Sequence, residues 1–187
     1  MLTVTAVRSS KASKASQATE RFFLVGFMGT GKTTLGREVA ERMGLAFVDL
    51  DERIERSSGM SVPEIFTREG EHGFRRRESQ ALAELIERPE PLVVATGGGA
   101  FTVEANRLLM KSAGVVVWLD VPIGEILARI EGGKRPLWKS PEEVRALHER
   151  RRRSYQQAHH RLALDGAGPS EAVERLHRLL LGCRRVS

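Results

Sequence analysis

The sequence predicts an α/β fold, a three-layer sandwich in which helices cover both faces of a five-stranded parallel sheet. Two observations carry this prediction: five short apolar runs alternate with helical patterns, and a glycine-rich phosphate-binding motif follows the first run. Alternation is typical of parallel sheets, because parallel neighbours are joined by crossovers that are usually helices. A chain of 187 residues, 41% of them hydrophobic, is long enough for one domain with one core.

The predicted strands are Phe22–Val25, Ala46–Leu50, Leu92–Ala95, Val115–Leu119 and, with a weaker pattern, Arg161–Leu164. Local signals mark the helix boundaries between them. Ser61 with Glu64, and Ser140 with Glu143, have the spacing of capping boxes, and Gly44 is placed to end the first helix. These boundaries divide the chain into a tail, residues 1–20, and a single domain, residues 21–187.

The tail is basic and residues 1–19 contain no acidic residue, which predicts disorder; an organelle transit peptide is the alternative. The whole chain has a formal charge of +6 but only 5% aromatic residues, which favours small anionic ligands over nucleic acid. No apolar run approaches the roughly 20 residues that span a bilayer. With one cysteine, Cys183, and this size, we expect a monomer in the cytoplasm that binds neither nucleic acid nor membranes.

Residues 26–33 match the pattern G-x-x-x-x-G-K-[ST] between a strand and a helix, which is the context of a P-loop. Its glycines let backbone N–H groups converge on phosphate oxygens, and the helix N-terminus adds a positive dipole end. Lys32 can reach the β- and γ-phosphates, and the Thr33 hydroxyl can ligate Mg²⁺. We therefore expect nucleotide contacts from Gly29, Thr30, Gly31, Lys32, Thr33 and Thr34.

Asp49 and Asp51 lie at the end of the second predicted strand. In an extended chain, residues two apart share a face, so both carboxylates can point at one site. One can support a metal ion, and the other can hold a hydroxyl nucleophile. The alternative is a pair of solvated acids at the start of a helix, where they interact favourably with its dipole.

Two further segments are predicted to be a place for a second substrate and a lid. Residues 52–88 are too long for a simple crossover and predict a helical, substrate-binding insertion of two or three short helices with breaks at Gly59, Gly70 and Gly73. Residues 132–142 begin with two glycines followed by Lys134 and Arg135, which predicts a mobile lid.

Further candidates lie in the insertion and after the third strand. Arg75 and Glu78 are three residues apart, and Glu78 falls on the apolar stripe of its predicted helix, so a buried ion pair could present the guanidinium to a substrate carboxylate. The alternative is a surface ion pair. Gly97, Gly98 and Gly99 end the third strand, where their amides can approach a ligand; a flexible turn is the alternative.

These motifs together resemble the shikimate kinase family, over about residues 21–181. The matching segments, in order and rough spacing, are the P-loop, Asp49–Asp51, Phe74–Glu78, Gly97–Gly99, Arg135–Leu137, and Arg151 with Tyr155. The resemblance implies a P-loop kinase fold of the nucleoside-monophosphate-kinase type. It also implies transfer of the γ-phosphoryl group of ATP, with one Mg²⁺, to the 3-hydroxyl of shikimate, a step of chorismate and aromatic amino-acid biosynthesis.

The resemblance also implies roles for single residues. Lys32, Asp51 and Arg135 would be catalytic, with Arg135 closing over the phosphates of the nucleotide. Thr33 and Asp49 would hold the metal. The shikimate contacts would be Asp51, Arg75, Glu78, Gly97, Gly98, Gly99 and Arg151.

The helical pattern after Ser140 independently selects one of four consecutive arginines. Steps of three and four from Leu147 lead to Arg151 and Tyr155, which places Arg151 on the inward face and Arg153 nearly opposite. Alternatives remain open for the function: another small-molecule P-loop kinase, such as a gluconate or nucleotide kinase, or a non-catalytic module that senses shikimate or ATP.

Overall fold

The computed structural model of the chain describes residues 20–131 and 140–184. Its strands are β1 (Arg21–Val25), β2 (Ala46–Asp49), β3 (Leu92–Ala95), β4 (Val115–Asp120) and β5 (His160–Ala163). Its α-helices are α1 (Lys32–Met43), α2 (Leu50–Ser58), α3 (Val62–Ile86), α4 (Glu104–Ala113), α5 (Ile123–Glu131), α6 (Pro141–Tyr155) and α7 (Pro169–Arg184). The predicted tail up to residue 19, and residues 132–139 of the predicted lid with Arg135, lie outside the described residues.

The strands form one sheet in the order β2-β3-β1-β4-β5, and every neighbouring pair is parallel. Phe23 of β1 lies at the centre, in register with Val94 of β3 and Val116 of β4. Nearly all residues of these three strands are buried, because helices cover both faces of the sheet. The predicted α/β fold with a five-stranded parallel sheet is therefore confirmed.

The predicted insertion consists of two helices, α2 and α3. Gly59 ends α2 in the left-handed conformation, and Gly70 bends α3 with non-helical angles of φ 69° and ψ −176°. The predicted break at Gly73 is wrong. Gly73 is buried within α3, where an added Cβ would lie 2.3 Å from the Cβ of Glu69, so this glycine serves packing inside the helix.

Four of the five strands differ from the prediction by one residue at one end or at both. Strand β1 begins one residue earlier and β4 ends one residue later than predicted. Strand β2 ends at Asp49, since the Asp49 carboxylate accepts hydrogen bonds from the N–H groups of Asp51 and Glu52 and so starts α2 at Leu50. Strand β5 begins and ends one residue earlier than predicted. The capping box of Ser61 and Glu64 is present as predicted.

The carboxyl ends of the strands meet at one edge of the sheet, which is where parallel sheets bind ligands. Gly26 follows β1, Asp49 ends β2 and Thr96 follows β3, so three predicted site segments converge there. Among the described helices, none combines the length and the apolar character that crossing a membrane demands.

Candidate active site

The phosphate loop lies between β1 and α1 and is shaped by glycines. Gly26, Gly29 and Gly31 have φ angles of 141°, 75° and 88°, in the region that favours glycine. The Lys32 ammonium group donates to the carbonyls of Gly26, at 3.0 Å, and Phe27, at 2.7 Å. The positive group is thus held at the centre of the loop, at the N-terminus of α1, where an anion is favoured.

Thr33 and Asp49 lie together beside this loop. The Thr33 hydroxyl donates to Oδ2 of Asp49 at 2.6 Å, while Oδ1 of Asp49 accepts from the backbone of α2. Hard oxygen donors of this kind fit Mg²⁺, which usually takes one or two protein ligands together with water and substrate phosphates. The described ranges contain no cluster of three or more His, Cys, Asp or Glu side chains that could hold a metal alone.

Asp51 and Glu78 face each other across Gly97. A Cβ added to Gly97 would lie 2.7 Å from Oε1 of Glu78 and 2.8 Å from Oδ1 of Asp51, so only glycine fits between them. Both of these oxygens are buried without a hydrogen-bond partner among the described residues. Burial raises the pKa of Asp51, and the neighbouring Asp49 raises it further. Burial likewise raises the pKa of Glu78, although Arg75 acts in the opposite direction.

Arg75 lies flat against Gly99. An added Cβ at Gly99 would come within 2.1 Å of Nη2 of Arg75, so the guanidinium occupies the space that any other side chain would need. Nη1 donates to Oε2 of Glu78 at 2.8 Å, and Nη2 donates to Oε1 of Glu71 at 3.2 Å. Burial works to lower the pKa of Arg75, but Glu78 and Glu71 outweigh it, so the pKa is raised.

Arg151 enters the site from α6. Its guanidinium lies 5.7 Å from the centre of the Phe27 ring, and burial lowers its pKa. The neighbouring Tyr155 donates its hydroxyl to the carbonyl of Gly98, and burial raises the pKa of Tyr155 to about 12. As the helical pattern predicted, Arg151 faces inward and Arg153 is exposed.

These groups surround a cavity of about 890 Å³ next to the phosphate loop. Asp51, Arg75, the three glycines and Arg151 all line it, and Met28 of the phosphate loop forms part of its wall. Apolar side chains of α3 and α6, among them Phe66 and Leu147, complete the lining. The arrangement combines a positively charged end for an anion with a carboxylate that can accept a proton, directly beside a phosphate site.

The structure brings together the predicted residues in the described ranges, but one prediction reached the right place for the wrong reason. Asp49 and Asp51 do not share the face of a strand, because Asp51 already belongs to α2. Sequence reasoning missed Glu71, which also lines the cavity, and Phe27, whose ring contacts both Arg151 and His148. The spacing of Glu71 four residues before Arg75 was the available signal for the first.

Comparison with known proteins places the chain in a family. A family model described as shikimate kinase matches residues 28–180. The shikimate kinase of Sulfurihydrogenibium sp. (strain YO3AOP1) is 42% identical over 159 residues, which are 84% of this chain and 95% of that protein. The shikimate kinase of Synechococcus elongatus (strain ATCC 33912 / PCC 7942 / FACHB-805) is 45% identical over 155 residues, covering 81% of this chain and 80% of that protein.

Two solved structures bear on the fold. The shikimate kinase from Acinetobacter baumannii, in complex with shikimate, has a TM-score of 0.79 and 42% identity, and covers 90% of this chain and 97% of that chain. A gluconokinase from Sinorhizobium meliloti has a TM-score of 0.53 at 19% identity, covering 91% of this chain and 98% of that chain. This second likeness shows a shared fold and nothing further.

Proposed function

The chain belongs to the shikimate kinase family, and from that premise we propose that it transfers the γ-phosphoryl group of ATP to the 3-hydroxyl of shikimate. The observation that carries the proposal is the single cavity that joins Asp51, Arg75 and Arg151 beside the phosphate loop. Shikimate has one carboxylate and three ring hydroxyls. A cavity with guanidinium groups and a buried carboxylate next to a triphosphate site suits such an acceptor.

The phosphate loop supplies the nucleotide half of the reaction. Its backbone amides and the N-terminus of α1 bind the phosphates, with side chains from Thr30, Thr33 and Thr34 beside them. Lys32 exchanges its bonds to the loop carbonyls for bonds to phosphate oxygens, and it stabilises the charge on the transferring group. We also assign Arg135 of the predicted lid, which lies outside the described residues, to the phosphates of the nucleotide.

Thr33 and Asp49 are the residues that would hold Mg²⁺, because their oxygens already lie within hydrogen-bond distance of each other. The ion supplies charge neutralisation for the phosphate oxygens when bound. Asp49 reaches this position through its cap of α2, which fixes the direction of its carboxylate.

The acceptor is oriented by its two ends. Arg151 and Arg75 bind the carboxylate of shikimate, and the amides of Gly97, Gly98 and Gly99 line the ring. Asp51 also lines the cavity, and its raised pKa makes it a better proton acceptor for the attacking hydroxyl. Glu78 does not touch the reacting atoms in this scheme; it holds the Arg75 guanidinium in place.

The test compares acceptors for the purified full chain with ATP and Mg²⁺. We expect ATP consumption with shikimate, a product heavier by one phosphoryl group, and no comparable turnover with gluconate or nucleoside monophosphates. Consumption with gluconate alone would replace the proposed acceptor. Binding of shikimate without any ATP consumption would favour a sensing module. The monomeric state and the cytoplasmic location stay predictions from size and cysteine content.

A further inference from the structure

Among the described residues, three arginines line the acceptor cavity, the exposed Arg150 and the less exposed Arg75 and Arg151, and the latter two differ in their partners. Arg75 is bound by two carboxylates, Glu78 at 2.8 Å and Glu71 at 3.2 Å. Arg151 has no ion pair with any carboxylate in residues 20–131 and 140–184; its contacts are Tyr155 and the face of the Phe27 ring. Of the two less exposed arginines, Arg75 therefore has its charge compensated by carboxylates and Arg151 does not.

The two carboxylates that pair with Arg75 also differ in how easily they can be displaced from it. The side chain of Glu78 is fully buried, with 0% of its surface exposed, so its carboxylate has no alternative position in water. The side chain of Glu71 is 67% exposed and lies at the cavity wall. An ion pair at this exposure is weak, and its carboxylate can turn into solvent at little cost.

The bend in α3 places Glu71 at the cavity. Gly70 separates two acids: Glu69, before the bend, pairs with Arg77, with Nε and Nη2 at 2.9 and 2.6 Å from its two oxygens. Glu71, the first residue after the bend, pairs with Arg75 one helical turn later. Its charge is also felt by Arg151: burial lowers the pKa of Arg151, while Tyr155 and Glu71 act to raise it.

We propose that the carboxylate of Glu71 competes with the carboxylate of the acceptor for binding to Arg75. Its carboxylate occupies Nη2 of Arg75 in the free enzyme, and it must turn away when an acceptor carboxylate binds between Arg75 and Arg151. Glu71 thereby lowers the affinity for monocarboxylate acceptors and determines how strongly the site prefers an acid over a neutral analogue. This inference rests on the proposed function, because it assumes that the acceptor's carboxylate is bound by these two arginines.

The charge of Glu71, and not its shape, carries the effect. Glu71→Gln keeps the length of the side chain but removes the negative charge that repels an incoming carboxylate. Exposed ion pairs are worth about 0.2–1 kcal/mol, so the gain in affinity should be about 1.5- to fivefold. An acceptor analogue with a carboxamide in place of the carboxylate must still displace Glu71 from Arg75 but has no charge for Glu71 to repel, so its affinity should rise less than that of the acid.

The experiment measures dissociation constants of shikimate and its carboxamide by calorimetry, for the full-length wild type, Glu71→Gln and a matched control. The control is Glu84→Gln, on the same helix, where an exposed carboxylate pairs with Arg53 at 3.1 Å, away from the cavity. We expect Glu71→Gln to bind shikimate more tightly and to show a smaller gain for the carboxamide. Glu84→Gln should match the wild type for both ligands. The preference for acid over amide should therefore increase only in Glu71→Gln.

Three results would overturn the inference: unchanged shikimate affinity in Glu71→Gln, weaker shikimate affinity, or an equal gain for acid and amide. Weaker binding would mean that Glu71 positions Arg75 for the acceptor instead of competing with the acceptor. Failure of the proposed function is a separate outcome, because it appears in the wild type as an absence of shikimate phosphorylation. A thermal unfolding curve for each variant confirms that the comparison is made between folded proteins.

Discussion

The phosphate loop and the acceptor cavity lie side by side at one edge of the sheet, yet they are built in opposite ways. The phosphate loop is one continuous segment, and its ammonium group, Lys32, is held by carbonyls of the loop itself. The acceptor cavity takes its charged groups from α2 and α3 of the insertion and from α6, which is distant from them in sequence. It also leaves Oδ1 of Asp51 and Oε1 of Glu78 buried without a hydrogen-bond partner in the described ranges.

The difference indicates how each region works. A loop of backbone amides binds any triphosphate and selects little, so its contribution is to orient and stabilise the transferring group. Buried side chains with unused hydrogen-bonding groups gain most when a ligand supplies the missing partners, so they select the acceptor. Changes in the loop should therefore affect turnover, and changes in the cavity, apart from Asp51, should affect acceptor affinity.

The largest effect is expected for Lys32→Ala. The ammonium group meets charge on the transferring phosphoryl group, and losses of this kind reach about 10³-fold or more in kcat. Affinity for shikimate should stay close to that of the wild type, because Lys32 does not line the acceptor cavity. Steady-state kinetics and calorimetry measure the two quantities.

The matched control for this change is Lys111→Ala on α4, where the ammonium group donates to the carbonyl of Gln157 at the surface. It should have normal turnover. A decrease of less than about tenfold for Lys32→Ala, equivalent to about 1.4 kcal/mol, would contradict the assigned role.

The second effect separates two neighbouring arginines of α6. Truncating a buried guanidinium that binds a carboxylate costs about 2–5 kcal/mol, so Arg151→Ala should weaken shikimate binding by about tens- to thousandsfold. Arg153→Ala should change it little, since that side chain is exposed and has no ion pair within the described part of the chain. Calorimetry on both variants tests the assignment, and a larger loss in Arg153→Ala would mean that the acceptor lies elsewhere.

The contrast between the regions also explains how far the sequence could predict the site. The phosphate loop is a local motif, so its eight residues specify both its shape and its position before α1. Folding alone brings together Arg75, Glu78 and Gly97. From the residues by themselves, a surface ion pair remained possible for Arg75 and Glu78, and a flexible turn for Gly97. The family resemblance assigned them to one site, because a family pattern relates motifs that are far apart in sequence, whereas the apolar periodicity describes only single helices and strands.

The errors have physical causes as well. Gly73 suggested a break by its residue type, but the break lies at Gly70, and the stem of Glu69 fills the space beside Gly73 across that bend. Asp51 was expected on a strand, but the Asp49 cap starts a helix one residue earlier. Both cases depend on one side chain contacting backbone a few residues away, which an apolar pattern does not register.

The third effect is expected for a glycine substitution, Gly99→Ala, that should change the acceptor cavity and leave the phosphate loop intact. Gly99 has φ −105°, which alanine adopts readily, so Gly99→Ala strains no backbone. Its Cβ would instead displace the Arg75 guanidinium, now 2.1 Å away from that position. Loss of one charged contact of this kind corresponds to about 1.5–3 kcal/mol, so we expect shikimate affinity to fall by about ten- to a hundredfold.

Nucleotide affinity should be unchanged in Gly99→Ala. This second measurement tests whether the phosphate loop and the acceptor cavity are independent of each other. Gly182→Ala is the control, because an added Cβ there meets no atom within 4 Å. Equal losses of nucleotide and acceptor affinity would show that the two regions are not independent. Titration of each ligand separately by calorimetry distinguishes these results.

The smallest effect concerns the place where the two regions touch. Phe27 belongs to the phosphate loop, and its buried ring meets the edge of His148 on α6, with 5.2 Å between ring centres. Burial lowers the pKa of His148 below its ordinary value of 6.5, and the nearby Arg152 lowers it further, while Asp120 and Glu149 act in the opposite direction. The folded protein therefore binds a proton at this position less readily than the unfolded chain does.

The sign of the pH dependence follows from that difference. Stability contributed by neutral His148 is fully present above pH 6.5 and decreases as the pH falls toward the lowered pKa, because the unfolded chain then takes up the proton first. His148→Gln removes this term, so the variant should lose less Tm than the wild type between pH 7.5 and 5, by about one to a few degrees. His72→Gln, on an exposed position of α3, should follow the wild type. If His148→Gln showed the same decrease in Tm as the wild type, the contact between Phe27 and α6 would not depend on a neutral imidazole.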